Sequence, residues 1–460
     1  MLNLIEHMNT PANPALEQLR SALPGMTWPA IADDESARML ALQFQLEQSQ
    51  WWQPQQIAAM QLRQFRQVYA HALATVPFYQ RWLAGPAGSG EIDWQRYCEL
   101  PVLGRRAVQE AGNAIHSTAP PRDHGALTRT ESSGSSGSPL VTPGTQWTKL
   151  MWYALLLREH LWQRRDFRGK LVAIRSKTTE AHLQAWGPAT AAFVTGPAAV
   201  RDLSAGIDEQ LQWLQLENPD YLMSYATNAQ ALAARSLELG VRLPRLKQVR
   251  TYGEMLRPGA RDVVRAAWGV EIVDSYSAEE LGYIALQCPA GENYHVQSES
   301  LIVEVLRPDG TPCAAGETGQ ITVSTLHNFA MPLIRYASGD YAEVAEPCAC
   351  GRGLPALKRI VGRQRNMLVR PDGVRHWPSF PSEAWREIAP VLQIQLVQDA
   401  ADHVHARVVA RRELTVPERE CFISALQGCL GWPFRITLTR VNAIARGAGG
   451  KYEDFVSQLA

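Results

Sequence analysis

Three sets of residues in this chain have types and spacings that chemistry could use. The first is Ser132-Ser133-Gly134-Ser135-Ser136-Gly137-Ser138-Pro139. Glycines let backbone N–H groups approach an anion, and serine hydroxyls add donors, so such a loop can cradle phosphate oxygens. It is not a Walker A loop: Gly134 and Gly137 stand too close together, and no Gly-Lys-Ser/Thr follows. The same composition also describes a flexible solvated linker. The second set is Cys288, His295, Cys348 and Cys350. Their thiols and imidazole match a closed tetrahedral Zn²⁺ site, which staples loops and leaves no position open for catalysis. Against that reading, Cys-x-Cys is shorter than the common finger spacing, the halves lie far apart, and free cysteine is often buried. The third set is Trp152, Trp186, Tyr221, Tyr225 and Tyr252, which can line a pocket for a flat aromatic ligand or simply fill the core.

The elements around these residues point to an α/β fold. Residues up to about Ile31 are rich in Pro, Ala and Asn and read as a loose leader, set here as 1–45. Apolar residues at mixed helical spacings follow Ile31: Leu40, Leu42, Phe44 and Leu46, then Met60, Leu62, Phe65, Val68, Tyr69 and Leu73. From Thr128 strand and helix patterns alternate: a helix over Leu150–Leu161, a strand at Lys170–Ile174, helices over Ile207–Leu216 and Thr227–Leu239, and strands at Gln248–Tyr252 and Val270–Tyr276. That alternation predicts parallel strands, and ligands in such folds gather at their carboxyl ends, where the polar turns fall. Leu301–Leu306 and Gly319–Ser324, separated by Pro308-Asp309-Gly310, read as a mostly antiparallel section. A large domain is thus expected over 46–362. A small α+β domain over 363–460 follows, with strands near Ile394–Val397, Val404–Val409 and Phe434–Thr439 and a helix near Glu418–Leu430.

Composition narrows the function classes. Of 460 residues, 46% are apolar and 20% charged, close to the globular average. Lys plus Arg and Asp plus Glu both number 45, so nothing pulls the chain as a whole toward nucleic acid or anionic lipid. No stretch approaches the ~20 apolar residues of a membrane helix. The start, Met1-Leu2-Asn3-Leu4-Ile5-Glu6-His7, has no signal-peptide pattern, which points to the cytoplasm. Seven cysteines, an odd count in a long chain, argue against a disulfide framework.

Read in order, the polar turns resemble the motifs of the adenylate-forming superfamily. Ser132–Pro139 is similar to its phosphate loop and Tyr252-Gly253-Glu254 to its adenine-side turn. Ser275-Tyr276-Ser277-Ala278-Glu279-Glu280-Leu281-Gly282 resembles Tyr-Gly-x-Thr-Glu. Leu333-Ile334-Arg335-Tyr336-Ala337-Ser338-Gly339-Asp340 resembles Arg-Tyr-x-Thr-Gly-Asp. Gly362-Arg363-Gln364-Arg365 resembles the hinge, and Arg446–Lys451 the terminal lysine motif. Val76-Pro77-Phe78-Tyr79 and Gly373–Ser379 bring the likeness closest to phenylacetate–CoA ligases, from about residue 60 to the end. The resemblance implies that a carboxylate attacks the ATP α-phosphorus, giving an acyl-adenylate and pyrophosphate, before acyl transfer.

The same resemblance implies roles. Ser132, Ser133, Gly134, Ser135, Ser136 and Gly137 would hold the β- and γ-phosphates. Gly253, Glu254, Tyr276 and Ser277 would line the nucleotide, and Glu280 would bind Mg²⁺. Asp340 would accept from the ribose hydroxyls, Arg335 would steady the phosphate, and Lys451 would reach the α-phosphate. Arg363 would sit at a hinge that lets the small domain rotate. Tyr225, after Asn218-Pro219-Asp220, is the choice for the acid pocket. Relatives also carry a Cys, His and Cys-x-Cys-Gly arrangement, which favours structural Zn²⁺ at Cys288, His295, Cys348 and Cys350. ATP, Mg²⁺, Zn²⁺ and CoA are the implied cofactors. The partners are a small carboxylic acid, expected to be aromatic, and CoA, or instead an amine or a carrier protein; a homodimer is left open.

Each residue taken singly has a plainer reading. Glu280 suits a helix start, Asp340 an ordinary Ser-Gly-Asp turn, Arg363 and Arg365 a charged surface, and Lys451 an exposed tail. Their joint order carries the reading. The chain also departs from the pattern. Glu279 replaces Thr or Ser, Ser277 replaces Gly, and Arg365 replaces an acid or Lys. Two adjacent acids therefore compete for the metal, and Glu280 is preferred because Leu281-Gly282 follows it in register. A nucleotide-sensing protein without activity and a zinc-stapled scaffold are the readings from other classes.

Overall fold

The strand–helix alternation folds as one half of a single mixed sheet. The computed structural model describes residues 17–83, 92–131, 140–378, 388–447 and 451–459. A hairpin of β1 (Leu127–Glu131) and β2 (Val141–Thr145) leads into the helix Gln146–Trp162, whose N-terminus Thr145 caps with its hydroxyl. The sheet strands are β3 (Leu171–Arg175), β4 (Ala181–Leu183), β5 (Ala198–Asp202), β6 (Tyr221–Tyr225), β7 (Gln248–Tyr252) and β8 (Glu271–Ala278). They continue through β9 (Gly282–Gln287), β10 (Tyr294–Val296), β11 (Leu301–Leu306), β12 (Thr318–Thr325), β13 (Tyr336–Val344) and β14 (Ala356–Arg363). The twelve strands lie in the order β11-β12-β13-β14-β10-β9-β8-β7-β6-β3-β5-β4. From β8 to β5 every pairing is parallel, and from β8 to β11 every pairing is antiparallel.

The parallel half forms because short apolar strands alternate with helices that cover one face. Ile207–Glu217, Ala226–Leu239 and Ala260–Trp268 bury Leu211, Leu214, Ala229, Leu232 and Val264 against Val172, Leu222, Val249 and Ile272. The last two of these helices end at left-handed Gly240 and Gly269, which turn the chain back toward the next strand. The helix Gln146–Trp162 packs on β9 of the antiparallel half, where Ala154, Leu155 and Leu157 share a core with Tyr283 and Leu286.

The leader expected over 1–45 is corrected. Residues 34–49 form a helix, Asp34–Ser49, with Asp33 accepting from Ser36 N at 2.9 Å as its N-cap. Met39 and Leu46, one heptad apart, bury against the Gln146–Trp162 helix, so this segment belongs to the large core. Upstream, Leu19 bridges to Phe193. Residues 1–16 lie outside the described set.

After β14 a second core begins. Buried Leu368, Leu396, Val404, Ala406, Val408, Phe422, Leu426, Phe434 and Phe455 form it without residues from the large sheet. Its strands are β15 (Leu368–Val369), β16 (Arg375–His376), β17 (Val391–Ala400), β18 (His403–Ala410), β19 (Arg435–Arg440) and β20 (Phe455–Ser457). The last four form a sheet ordered β19-β18-β17-β20, crossed by the helix Val416–Leu430 between parallel β18 and β19. Among the described residues no helix is long and apolar enough to cross a membrane.

Candidate functional site

A cavity of about 540 Å³ opens where the carboxyl ends of β7 and β8 meet the ends of β13 and β14 and the segment before β20. Gly253, Glu254, Tyr276, Ser277, Glu279, Glu280, Asp340, Arg363 and Lys451 all line it. These residues come from motifs spread along half the chain. The Ser132–Gly137 residues lie outside the described residues, and the flanking β1 and β2 are paired in register.

Gly253 illustrates why the turn after β7 needs glycine. Its φ is +74°, and a Cβ there would stand 3.3 Å from the Tyr225 ring and 3.7 Å from Lys451 Cε. Lys451 is therefore held against the turn. Burial and the nearby Arg363 guanidinium lower its pKa from the usual value, while Asp340, Glu254 and Glu280 oppose that shift.

Asp340 and Arg363 are cross-strand partners in the β13–β14 pairing. Arg363 Nε donates to Asp340 Oδ1 at 3.2 Å, and the Tyr276 hydroxyl donates to Oδ2 at 2.8 Å. Burial, reinforced by the Asp340 charge, pushes the Tyr276 hydroxyl pKa far up, so it remains a donor. Glu280 is buried, and its Oε1 accepts from Arg105 Nη1 at 3.0 Å and from the Tyr336 hydroxyl at 3.2 Å. Loss of water raises the pKa of Glu279, with Lys451 opposing and Glu280 adding to the rise. Two adjacent carboxylates thus bound one wall, one committed to an arginine and one facing Lys451.

Arg335 is corrected. It sits at φ +46° and does not line the cavity. Its guanidinium donates to Glu304 Oε2 at 3.0 Å and Oε1 at 2.9 Å, and to the carbonyls of Cys98 and Leu100. It ties β13 to β11 and to the N-terminal helices, because a buried carboxylate and two buried carbonyls need a forked cation there. Tyr225 also lies behind the cavity wall rather than in it. Its ring lies tilted at 32° to that of Tyr252 with centroids 4.9 Å apart, and its hydroxyl lies 2.9 Å from Ser176 Oγ.

Several cavity residues were not singled out in the sequence. Arg105 starts a short helix far from any motif, and nothing in its spacing marks it. Asp274, one residue before the Tyr276 motif begins, accepts from Thr251 Oγ1 at 2.5 Å and Tyr294 OH at 2.9 Å. Burial pushes its pKa up to about 6. Thr227 and Tyr452 converge on Glu254, together with Arg446 of the terminal lysine motif, which lies outside the lining.

Away from this cavity, Cys288, His295, Cys348 and Cys350 bring their ligand atoms within 4.8 Å of one another. Cys288 follows β9, His295 lies on β10, and both other thiols lie on the β13–β14 loop. Cys350 Sγ is 3.2 Å from His295 Nε2, and Cys348 Sγ is 3.8 Å from Cys288 Sγ. The other imidazole nitrogen, Nδ1, faces the Leu354 carbonyl at 3.3 Å, which orients Nε2 toward the thiols. This donor set could hold one metal ion.

No protein-family model matches the chain. By sequence it is 27% identical over 380 residues to a phenylacetate–coenzyme A ligase of Thermus thermophilus, covering 80% of this chain and 81% of that protein. By structure it superposes on a 2-hydroxyisobutyryl-CoA ligase in its postadenylation state with a TM-score of 0.69 at 19% identity, covering 86% and 89% of the two chains. With that ligase in its thioesterification state the TM-score is 0.55 at 21% identity, covering 87% and 89%. The chain is thus similar in sequence to phenylacetate–CoA ligases, as its motifs imply, and it has the fold of adenylate-forming CoA ligases.

Proposed function

We propose that this protein is an AMP-forming ligase that activates a carboxylic acid with ATP and passes the acyl group to CoA. One observation carries the reading. Tyr276, Glu279, Glu280, Asp340, Arg363 and Lys451, distant in sequence, converge on one cavity. The neighbours point the same way: the solved ligase was captured with an acyl-AMP and with CoA.

In this reading Asp340, already oriented by Tyr276 and Arg363, accepts from ribose hydroxyls through its remaining lone pairs. Lys451 places a cation where charge develops on the α-phosphate. Its lowered proton affinity is restored once phosphates enter, because an anion beside it favours the charged form. Glu279 and Glu280 fit Mg²⁺, which takes one or two carboxylates together with substrate phosphates. When bound, that ion neutralises phosphate charge. Glu280 stays fixed by Arg105 and Tyr336, so Glu279 is the more adjustable ligand. The acid is taken to be aromatic, and the tilted Tyr225–Tyr252 pair lies beside the Gly253 turn that also meets Lys451. Arg363 is the pivot from which the second core would rotate between half-reactions. The four thiol and imidazole groups fit Zn²⁺ as a closed structural staple between the β9–β10 and β13–β14 loops.

The test is acid-dependent pyrophosphate release from Mg-ATP over a panel of aromatic and aliphatic acids, with and without CoA, with products identified by mass. A CoA thioester supports the reading. Adenylate without thioester moves the acceptor to an amine or a carrier protein. No release with any acid from folded protein refutes it.

A further inference from the structure

We propose that Glu254 is a positioning residue that holds Lys451 in the cavity, rather than a nucleotide ligand. Its effect on catalysis rests on the ligase reading, while its geometry does not. Glu254 follows the Gly253 turn, and its side chain is only 4% exposed. Both of its oxygens are engaged by groups of this chain. Oε2 accepts from Thr227 N at 3.0 Å and Thr227 Oγ1 at 2.6 Å. Oε1 accepts from Tyr452 N at 2.7 Å and Arg446 Nη1 at 3.2 Å.

The two oxygens thus face two different bodies. Thr227 lies in the first turn of Ala226–Leu239, where free N–H groups favour an anion, so one side of the carboxylate is fixed to a rigid element. Arg446 and Tyr452 belong to the terminal motif and flank Lys451 on both sides in sequence. Gly447 N donates to Lys451 O at 2.9 Å, which ties the residue after Arg446 directly to the lysine. A single buried carboxylate therefore pins both approaches to Lys451 with charge-assisted hydrogen bonds. The lysine itself has a flexible four-carbon stem and no fixed fork, so its aim depends on where its backbone is held. Glu254 lines the cavity, yet both of its oxygens already accept from groups of this chain.

The test uses the full chain and the variants Glu254→Gln and Arg446→Gln, which remove the charge from opposite ends. Hydrogen exchange, read by mass spectrometry without substrate, is expected to speed up about tenfold over residues 444–456 in both variants, with the sheet strands unchanged. Phenylacetate and phenylacetyl-adenylate serve as activity probes. Phenylacetate-dependent ATP–pyrophosphate exchange is expected to fall about 10- to 100-fold, because small misplacements of a reacting group have effects of that order. CoA-dependent consumption of phenylacetyl-adenylate should change less than about twofold, since the lysine acts in the first half-reaction. In a Lys451→Ala background, Glu254→Gln should cause no further loss of exchange activity. Unchanged hydrogen exchange in both variants overturns the proposal, as does a further loss in the Lys451→Ala background. If the unaltered chain uses neither probe, the ligase reading with this acid fails, and the hydrogen-exchange arm still decides the positioning role.

Discussion

Replacing Arg335 by Met separates a structural arginine from a catalytic one. In the sequence Arg335 sits in a motif whose resemblance implies phosphate contact, yet its guanidinium is spent on Glu304, Cys98 O and Leu100 O. Arg335 is buried and Glu304 nearly so, with side-chain exposures of 5% and 13%. Removing the cation strands the Glu304 carboxylate, and breaking a buried pair from one side costs about 3–5 kcal/mol. Unfolding entropy near 2 cal/mol/K per residue over this length amounts to roughly 1 kcal/mol/K, so Tm should drop by about 3–5 °C if the chain melts as one unit. Lys at this position keeps the charge but loses the fork, so its loss should be intermediate. The double variant Arg335→Met/Glu304→Leu removes both charges and should regain most of the stability, by about 1–4 kcal/mol. The assay is calorimetry with urea unfolding, beside pyrophosphate release at a temperature where the variants remain folded. An unchanged Tm together with lost activity would refute the structural assignment, as would a double variant no more stable than the single one.

Three further outcomes are expected. Lys451→Ala should lower acid-dependent pyrophosphate release by about 10²–10³-fold, the usual loss for one donor aimed at developing charge, while Tm holds; full release from the variant would remove Lys451 from the chemistry. The folded-state pKa of Asp274 is raised to about 6 from an ordinary value of 3.8. A raised carboxyl contributes stability that is fully present below pH 4 and is lost as pH rises through about 6, by up to roughly 3 kcal/mol. Asp274→Asn should therefore flatten the fall in stability between about pH 4 and pH 6, and urea unfolding showing the same fall in both proteins would contradict this. Purified chain should carry about one equivalent of zinc, and Cys350→Ser or prolonged chelation should release it and lower Tm by several degrees; metal analysis finding none in freshly prepared, unchelated protein would remove the staple.

Most of the architecture was legible because its signals are local. Apolar runs of strand length separated by helical periods predict the parallel half, and the observed β3, β7, Ile207–Glu217 and Ala226–Leu239 fall within a residue of the predicted spans, while β6 was not predicted. The compact tail was equally readable from its alternating Val404–Val409 pattern and the helix beyond it. The boundary at residue 45 was misplaced because the leader is polar on average. Met39 and Leu46, with Leu40 and Leu42 partly buried beside them, carry its apolar burial, and their target helix lies about a hundred residues away.

The site divides along the same line. Residue types admitted thiols with an imidazole for a soft metal, while the acids and the lysine gained a phosphate role only from the resemblance. Their order along the chain supplied the likeness to a family. Which groups face the cavity is a matter of long-range packing, and there the motifs were silent. Arg335 and Asp340 stand five positions apart, yet a left-handed residue and a strand register send one into the Glu304 pair and the other into the cavity. Arg105, Thr227 and Arg446 belong to separate elements, and they reach Glu280 or Glu254 only once the sheet and the second core are assembled. Sequence by itself determined the elements and the available chemistry, because those depend on neighbours along the chain. The tertiary structure alone decided which charges meet, because a carboxylate takes its role from whichever cation or hydroxyl is packed within about 3 Å of it.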